Sequence, residues 1–282
     1  MFVETIPSHS PEYPTALHEL KAPPKELWAI GDRSVLDAPI IAIVGTRRAT
    51  AYGERITREL ATALARGGAC VISGMALGID GAAHRAALEA RGKTIAVLGT
   101  GVDVAYPRAH LDLHREIAAR GLLLSEVPPG TASAKWAFPK RNRIIAALAR
   151  VVIIVEAPFK SGALNTAEHA LELGRDVAVV PGPIDSPQSA GTNQLLTSGA
   201  HPIVSIADAL SLAGISPQPR AEPRFDDEVE MRVWTVLEES VANLDELCAR
   251  ARLPVTRCLA AVTGLELRGA IECALTGEIR RR

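Results

Sequence analysis

Short apolar runs and longer amphipathic stretches take turns along most of this chain. The runs are Ile40–Val44, Ala69–Ser73, Thr94–Leu98, Leu122–Ser125, Val151–Glu156 and Val177–Val180, and none alternates with a two-residue period. Runs of this kind suit strands buried on both faces of a parallel sheet. Between them, apolar positions recur at helical spacing over Tyr52–Arg66, Asp80–Arg91, His110–Arg120, Pro139–Arg150 and Thr166–Leu173, and a further helix is predicted over Ile206–Leu212. Strand then helix, repeated, predicts an α/β fold: an extended Rossmann-like, doubly wound, mostly parallel sheet. Residues 1–38 stand apart as a lead-in segment rich in Pro, Glu and Lys, with a short helical candidate at Pro14–Lys21.

The sheet pattern ends near residue 215, which sets the Rossmann-like domain at 39–215. Ser216–Pro223 reads SPQPRAEP, three prolines without an apolar period, and predicts a linker over 216–226. Residues 227–282 then carry three helical candidates, Asp227–Glu239, Leu244–Arg250 and Thr256–Leu267. Two short strands follow, Ile271–Leu275 and Glu278–Arg281, around the turn pair Thr276-Gly277. Three helices and a hairpin in so short a span predict a small C-terminal winged-helix domain.

Composition changes this picture little. The 282 residues are 48% hydrophobic and 22% charged, ordinary for a globular protein, and only 4% aromatic, so the core must rest on Ala, Val, Leu and Ile. A formal net charge of −1 leaves no global positive field, so any polyanion partner has to be met by local cations. Cys70, Cys248, Cys258 and Cys273 form no CxxC pair and are expected to be reduced thiols. The start MFVETIPSHSPEYP has neither a basic nor an apolar targeting region, and no apolar run reaches the ~20 residues of a membrane span. A cytoplasmic protein without membrane contact is expected.

In an open parallel sheet, ligands bind beyond the carboxyl ends of the strands. Four such loops hold candidate chemistry. Gly45-Thr46-Arg47-Arg48 lets backbone approach a ligand at Gly45 and offers Arg47 as a forked phosphate donor, or else is a surface arginine beside a structural glycine. Ser73–Asp80 ends on a natural N-cap, with His84 four residues on; an acid/base pair and plain capping are both open, and capping is the stronger because no nucleophile accompanies the pair. Lys135-Trp136-Ala137-Phe138-Pro139-Lys140-Arg141-Asn142-Arg143 crowds Lys140, Arg141 and Arg143 into the first turn of a helix, where cations oppose the dipole. That cost suggests a held anion, and Trp136 and Phe138 interleave rings that can stack a base. In Ala157–Asn165, Ser161, Gly162 and Asn165 offer neutral donors to a phosphate. No cofactor or metal site is expected. Gly99-Thr100-Gly101 lacks the third glycine of a dinucleotide fingerprint, and His110 and His114 lack the glutamate of a metalloprotease helix.

In their order, the motifs VGTRRATAYG (44–53), SGMALGIDGAAH (73–84), TIAVLGTGVDVAYP (94–107), SEVPPG (125–130), FPKRNRII (138–145), SGALNTA (161–167) and VPGPIDSPQSAGTNQLL (180–196) resemble the DNA-processing protein A family, DprA or Smf. The resemblance implies a protein that is not an enzyme. It implies binding of single-stranded DNA in a basic pocket of the Rossmann-like domain, loading of RecA recombinase in natural transformation or DNA uptake, and a homodimer formed through that domain. Carried over by residue, it marks Gly45, Thr46 and Arg47 in the first loop and Lys135 and Phe138 in the pocket. It marks Lys140, Arg141, Asn142 and Arg143 in the FPxRNR motif, where Arg141 and Arg143 are also open to a structural role. In the SG motif it marks Ser161, Gly162 and Asn165. Thr46 stands where serine is commoner and Met75 where leucine is, and about 38 residues precede the sheet, too few for the helical SAM-like domain of many members.

The C-terminal unit resembles the family's winged helix through LELRGAI at 265–271. Duplex binding by such a module wants a basic face, yet residues 227–282 hold 10 acidic and 8 basic residues, a net of −2. A protein-contact or regulatory role is therefore expected, with Arg280, Arg281 and Arg282 as the residual candidates for a backbone. Two other functions fit the sequence less well. A nucleotide-hydrolysing enzyme on a related fold would carry PGGxGTxxE, where this chain has Pro181-Gly182-Pro183-Ile184-Asp185. A pure interaction scaffold would work through the winged helix.

Overall fold

Each apolar run becomes a strand in the computed structural model, which describes residues 2–216, 224–239, 242–274 and 277–281. The strands of the main sheet are β1 (Glu4–Pro7), β2 (Glu26–Gly31), β3 (Ile40–Val44), β4 (Cys70–Ser73), β5 (Lys93–Leu98), β6 (Leu122–Ser125), β7 (Val151–Ile154), β8 (Asp176–Val179) and β9 (His201–Pro202). Their order is β1-β2-β6-β5-β4-β3-β7-β8-β9; the pairs β1·β2 and β2·β6 are antiparallel and the rest parallel. The chain builds outward from β3 in one direction to β6, then crosses back to add β7, β8 and β9 on the other side. This is the doubly wound, Rossmann-like sheet that the pattern predicts.

The helices are α1 (Ala51–Arg66), α2 (Ile79–Glu89), α3 (Leu111–Arg120), α4 (Ala137–Leu148), α5 (Gly162–Glu172), α6 (Ala190–Thr197) and α7 (Ile206–Leu212). The strands need apolar residues on both sides because both sides are covered. Ala42, Val44, Ile72, Val97, Val152 and Ile154 pack with residues of α4 and α5, such as Ile144 and Ala167. Ile41, Ile43, Val71 and Ile153 face the other way, onto Leu60 and Leu64 of α1 and Ala83 of α2. Each of the valine, leucine and isoleucine side chains contributes about 1.5–3 kcal/mol by leaving water.

Three departures from the sequence expectations concern places where neighbours, not local pattern, decide. Residues 4–31, expected only to lead in, supply β1 and β2. The prolines just before β2 hid it, but Leu27 and Ala29 are buried and the strand completes the open edge of β6. Helix α5 starts at Gly162, four residues before the predicted start, because the Ser161 hydroxyl accepts from the Ala163 N–H at 3.3 Å and caps it. Helix α6 and strand β9 have too weak a pattern to be predicted.

The chain divides into two compact units, Met1–Gln218 and Pro219–Arg282. The second contains α8 (Glu228–Glu239), α9 (Leu244–Ala251), α10 (Val255–Leu267) and the antiparallel pair β10 (Ile271–Cys273) and β11 (Ile279–Arg281). Val233, Trp234, Leu247, Cys258, Val262, Leu265, Ile271 and Ile279 make its core, and Asn243 with Glu246 forms a capping box on α9. This is the expected winged helix. Of the expected linker 216–226, positions 217–223 lie outside the described residues, as do Leu275, Thr276 and Arg282. The four cysteines are free thiols, and burial pushes that of Cys70 up to about 12. Among the described residues no helix is long and apolar enough to cross a membrane.

Candidate functional site

The winding reverses between β3 and β7, so the loops after these two strands part there and leave a crevice. They are tied at its floor. Thr46 N–H donates to the Glu156 carbonyl at 2.7 Å. The Glu156 carboxylate accepts from the Thr50 N–H at 2.9 Å and the Thr50 hydroxyl at 2.5 Å. Thr50 in turn caps α1 through the Gly53 N–H at 3.1 Å. Gly45 is a close-approach glycine, but what approaches is protein: a Cβ there would lie 2.6 Å from Ile79 Cγ1 and 2.9 Å from the Glu156 carbonyl. Beside this floor Thr50, Tyr52, Glu156, Pro181, Gly182, Pro183, Ser186 and Ser189 line an open cleft of about 510 Å³.

The cations of the FPKRNR segment separate into distinct roles. Arg141 is buried. Its guanidinium donates to the carbonyls of Gly74, at 2.8 Å, and Val97, while Nε donates to Asn142 Oδ1 at 3.0 Å. Gly74 has to be glycine because the guanidinium lies against its Cα. Burial lowers the Arg141 pKa to about 10, against the field of Asp80, so the group stays cationic at neutral pH. Arg143 and Lys140 both reach the buried Glu126 carboxylate, Lys140 at 3.1 Å. The anion that the crowded first turn calls for is therefore, for these two residues, supplied by the protein. Asn142 donates to the Gly162 carbonyl at 3.1 Å and to Asn165 Oδ1 at 3.3 Å, which ties α4 to the head of α5.

Asp80 and His84 part company. Asp80 sits in the first turn of α2, where its carboxylate accepts from the N–H groups of Gly74 at 3.2 Å and Ala76 at 3.4 Å; burial raises its pKa, opposed by Arg141 and these donors. The helix is capped by Gly78, not Asp80. His84 is buried with Nδ1 2.7 Å from the Thr94 hydroxyl, which itself donates to the Val71 carbonyl, and burial pushes the imidazole down to about 3. His110 and His114 are also buried, with ring nitrogens on the Met75 and Val102 carbonyls. Among the described residues there is no cluster of three or more His, Cys, Asp or Glu that could hold a metal ion.

What remains turned outward is compact. The exposed Arg47 guanidinium lies over the Phe138 ring, 5.4 Å from its centroid, and Tyr106 packs on the same ring at 5.2 Å. Lys135 is exposed one residue before Trp136, and Lys140 Nζ lies 5.8 Å from the Trp136 ring centroid. Gly162 is exposed, and nothing lies within 4 Å of where a Cβ would stand. Of the twelve residues predicted for the site, the structure turns Arg47, Lys135, Phe138, Lys140, Ser161 and Gly162 at least partly outward. It uses Gly45, Thr46, Arg141, Asn142, Arg143 and Asn165 to hold the loops. Sequence reasoning missed Glu126, Glu156 and Tyr106. An acid directly after a buried strand, facing a helix start crowded with cations, is the signal that would have found Glu126.

The comparisons with known proteins agree with this architecture. Residues 4–214 match the family model of DNA recombination-mediator protein A, and residues 216–274 that of the DprA winged helix domain. The chain is 44% identical over 207 residues to the DNA processing protein DprA of Bacillus subtilis, across 73% of this chain and 70% of that protein. Its fold is similar to the X-ray structure of DprA from Streptococcus pneumoniae, with a TM-score of 0.72 and 41% identity, over 74% of this chain and 73% of that one. It is also similar to DprA from Helicobacter pylori, solved for its single-stranded DNA binding mode, with a TM-score of 0.69 and 37% identity, over 76% and 97% of the two chains.

Proposed function

The chain belongs to the DNA recombination-mediator protein A family, and from that premise we propose that it binds single-stranded DNA at the Arg47–Phe138 pair and loads RecA recombinase onto the strand. The observation that carries this is the Arg47–Phe138 pair. A forked cation and a ring share one spot beyond the strand ends, so a phosphate and its base are met together. Lys135 adds a second charge at the rim, and the open backbone at Gly162 with the Ser161 hydroxyl adds neutral contacts. The Helicobacter pylori relative, similar over the same unit, binds single-stranded DNA.

The protein acts as a mediator and not as an enzyme: Asp80, His84 and Glu156, the buried titratable groups behind the loops, are committed to holding the scaffold. It works as a homodimer through the Rossmann-like unit, protects incoming DNA during uptake, and acts in the cytoplasm. The winged helix serves a protein-contact or regulatory role, because residues 227–282 are net acidic and three of their arginines are engaged within the unit: Arg268 with Asp226 and Glu230, Arg280 with Glu272, and Arg281 with Glu238.

Fluorescence anisotropy with labelled oligo-dT tests the pocket. Two lost charge-assisted contacts predict roughly ten- to hundredfold weaker binding in the Arg47→Ala, Lys135→Ala variant, with a shallower salt dependence. Unchanged affinity overturns the assignment. In the same preparation, wild type accelerates RecA ATP hydrolysis on a strand coated with single-strand-binding protein and the variant does not. Light scattering reads the dimer.

A further inference from the structure

We propose that Trp136 and Phe159, at the heads of α4 and α5, are base-stacking platforms beside the Phe138 pocket, so that a single strand held there continues onto both; this rests on the pocket proposed above. Aromatic residues are scarce in this chain, yet these two stand in solvent, Trp136 63% exposed and Phe159 64% exposed. Trp136 immediately precedes α4, and Phe159 lies two residues before Ser161, the cap of α5. Helices α4 and α5 pack on each other, and the Asn142–Gly162 hydrogen bond ties their N-terminal ends, so both rings project from one edge of the sheet.

Each ring has a lysine near it, in space for Trp136 and next in sequence for Phe159. Lys140 Nζ sits 5.8 Å from the Trp136 ring centroid, exposed Lys135 precedes Trp136, and exposed Lys160 follows Phe159. The inner pair, Arg47 over Phe138, repeats the motif. A ring beside a cation fits a chain that offers a flat base and a phosphate at every step; an apolar protein surface would leave Lys135 and Lys160 unmatched, whereas Lys140 is already held by Glu126. Lys160 holds φ +59°, a left-handed conformation that costs a lysine energy and leaves Phe159 on the outer rim. Because every base has a π face, the platforms discriminate single strands from duplex without reading sequence.

The test uses the full-length protein with Trp136→Ala, Phe159→Ala and the double variant. Anisotropy is measured on oligo-dT of about 6 and about 20 nucleotides and on a 20-mer with abasic flanks around a central dT core. The double variant should bind the long dT strand roughly tenfold or more weakly, and the short and abasic-flanked strands nearly as wild type does. Trp136→Phe should restore most of the loss. Titration with long oligo-dT should quench intrinsic fluorescence in the wild type and not in Trp136→Phe, since Trp28 is only partly exposed and Trp234 is buried. Equal affinity of the double variant and wild type for the long strand overturns the platforms. So does an equal loss on the abasic-flanked strand, or intact DNA binding with an altered oligomeric mass, which would make the rings a protein contact. The pocket is judged separately: wild-type binding by the Arg47→Ala, Lys135→Ala variant removes the pocket, whereas loss there with no effect at the rings removes the platforms alone.

Discussion

In the winged-helix unit, Arg268 is clamped between Asp226 and Glu230, Arg280 lies on Glu272 at 3.0 Å, and Arg281 crosses the Trp234 ring at 4.0 Å to reach Glu238. At the carboxyl edge of the sheet, Arg47 also crosses a ring, yet the far side of that pair opens to solvent, and Lys135 stands exposed at the rim. Both units therefore place arginine on an aromatic face, and they put it to different ends. Where a carboxylate completes the arrangement, the cation is spent on local structure. Where none does, it stays open to an external anion, and in the DNA binding proposed above counterions displaced from the polynucleotide would supply the driving force. Within the edge itself the same contrast separates Lys140 and Arg143, which share Glu126, from Arg47 and Lys135.

The largest effect that would break this comparison comes from the most deeply spent cation. Arg141→Met leaves Asp80 without its compensating charge and two strand-end carbonyls without a donor, and should cost about 3–5 kcal/mol in urea unfolding of the full chain. Adding Asp80→Asn should recover part of it. An unfolding midpoint like that of wild type would show that Arg141 is free to serve DNA after all.

Acid should then separate the two units, because all seven histidines lie in the first. Burial holds His84 down to about 3 and also lowers His110 and His114, whereas an unfolded histidine titrates near 6.5. Below about 6.5 the unfolded chain takes up protons that the folded chain refuses, so this stability is full above 6.5 and drains as the pH falls toward 3. Hydrogen exchange at pH 7 and pH 5 should show loosening around α2 and β5 with the winged helix unchanged, and His84→Gln should blunt it. Equal loosening of both units would set the histidines aside. The smallest effect is expected from Arg280→Gln with Arg281→Gln, which should change oligo-dT affinity by less than about twofold, as paired surface cations do; a loss matching that of Arg47→Ala would erase the contrast between the units.

The alternation of apolar runs and amphipathic segments was enough to read the parallel strands β3 to β8, the helices that cover them and the three-helix winged unit. Those segments carry their burial in their own composition. β2 was not legible, since an antiparallel strand that closely follows Pro23 and Pro24 owes its existence to the pairing edges of β1 and β6. The position of Phe138 and the charge of Arg47 were legible as residue types in strand-end loops. That they meet was not, because residues 91 positions apart are joined only by the folding of the sheet.

By itself, then, the sequence determined the layer architecture, the strand-end loops proposed as the site and the chemical types available there. Only the tertiary structure decided which of those cations face outward. Local charge reads the same whether an arginine is aimed at a phosphate or at Glu126 and the Gly74 carbonyl; the difference lies in partners contributed by distant strands. Burial makes the inward choice nearly obligatory, since a desolvated guanidinium must find acceptors inside the protein, while an exposed one can wait for a strand of DNA.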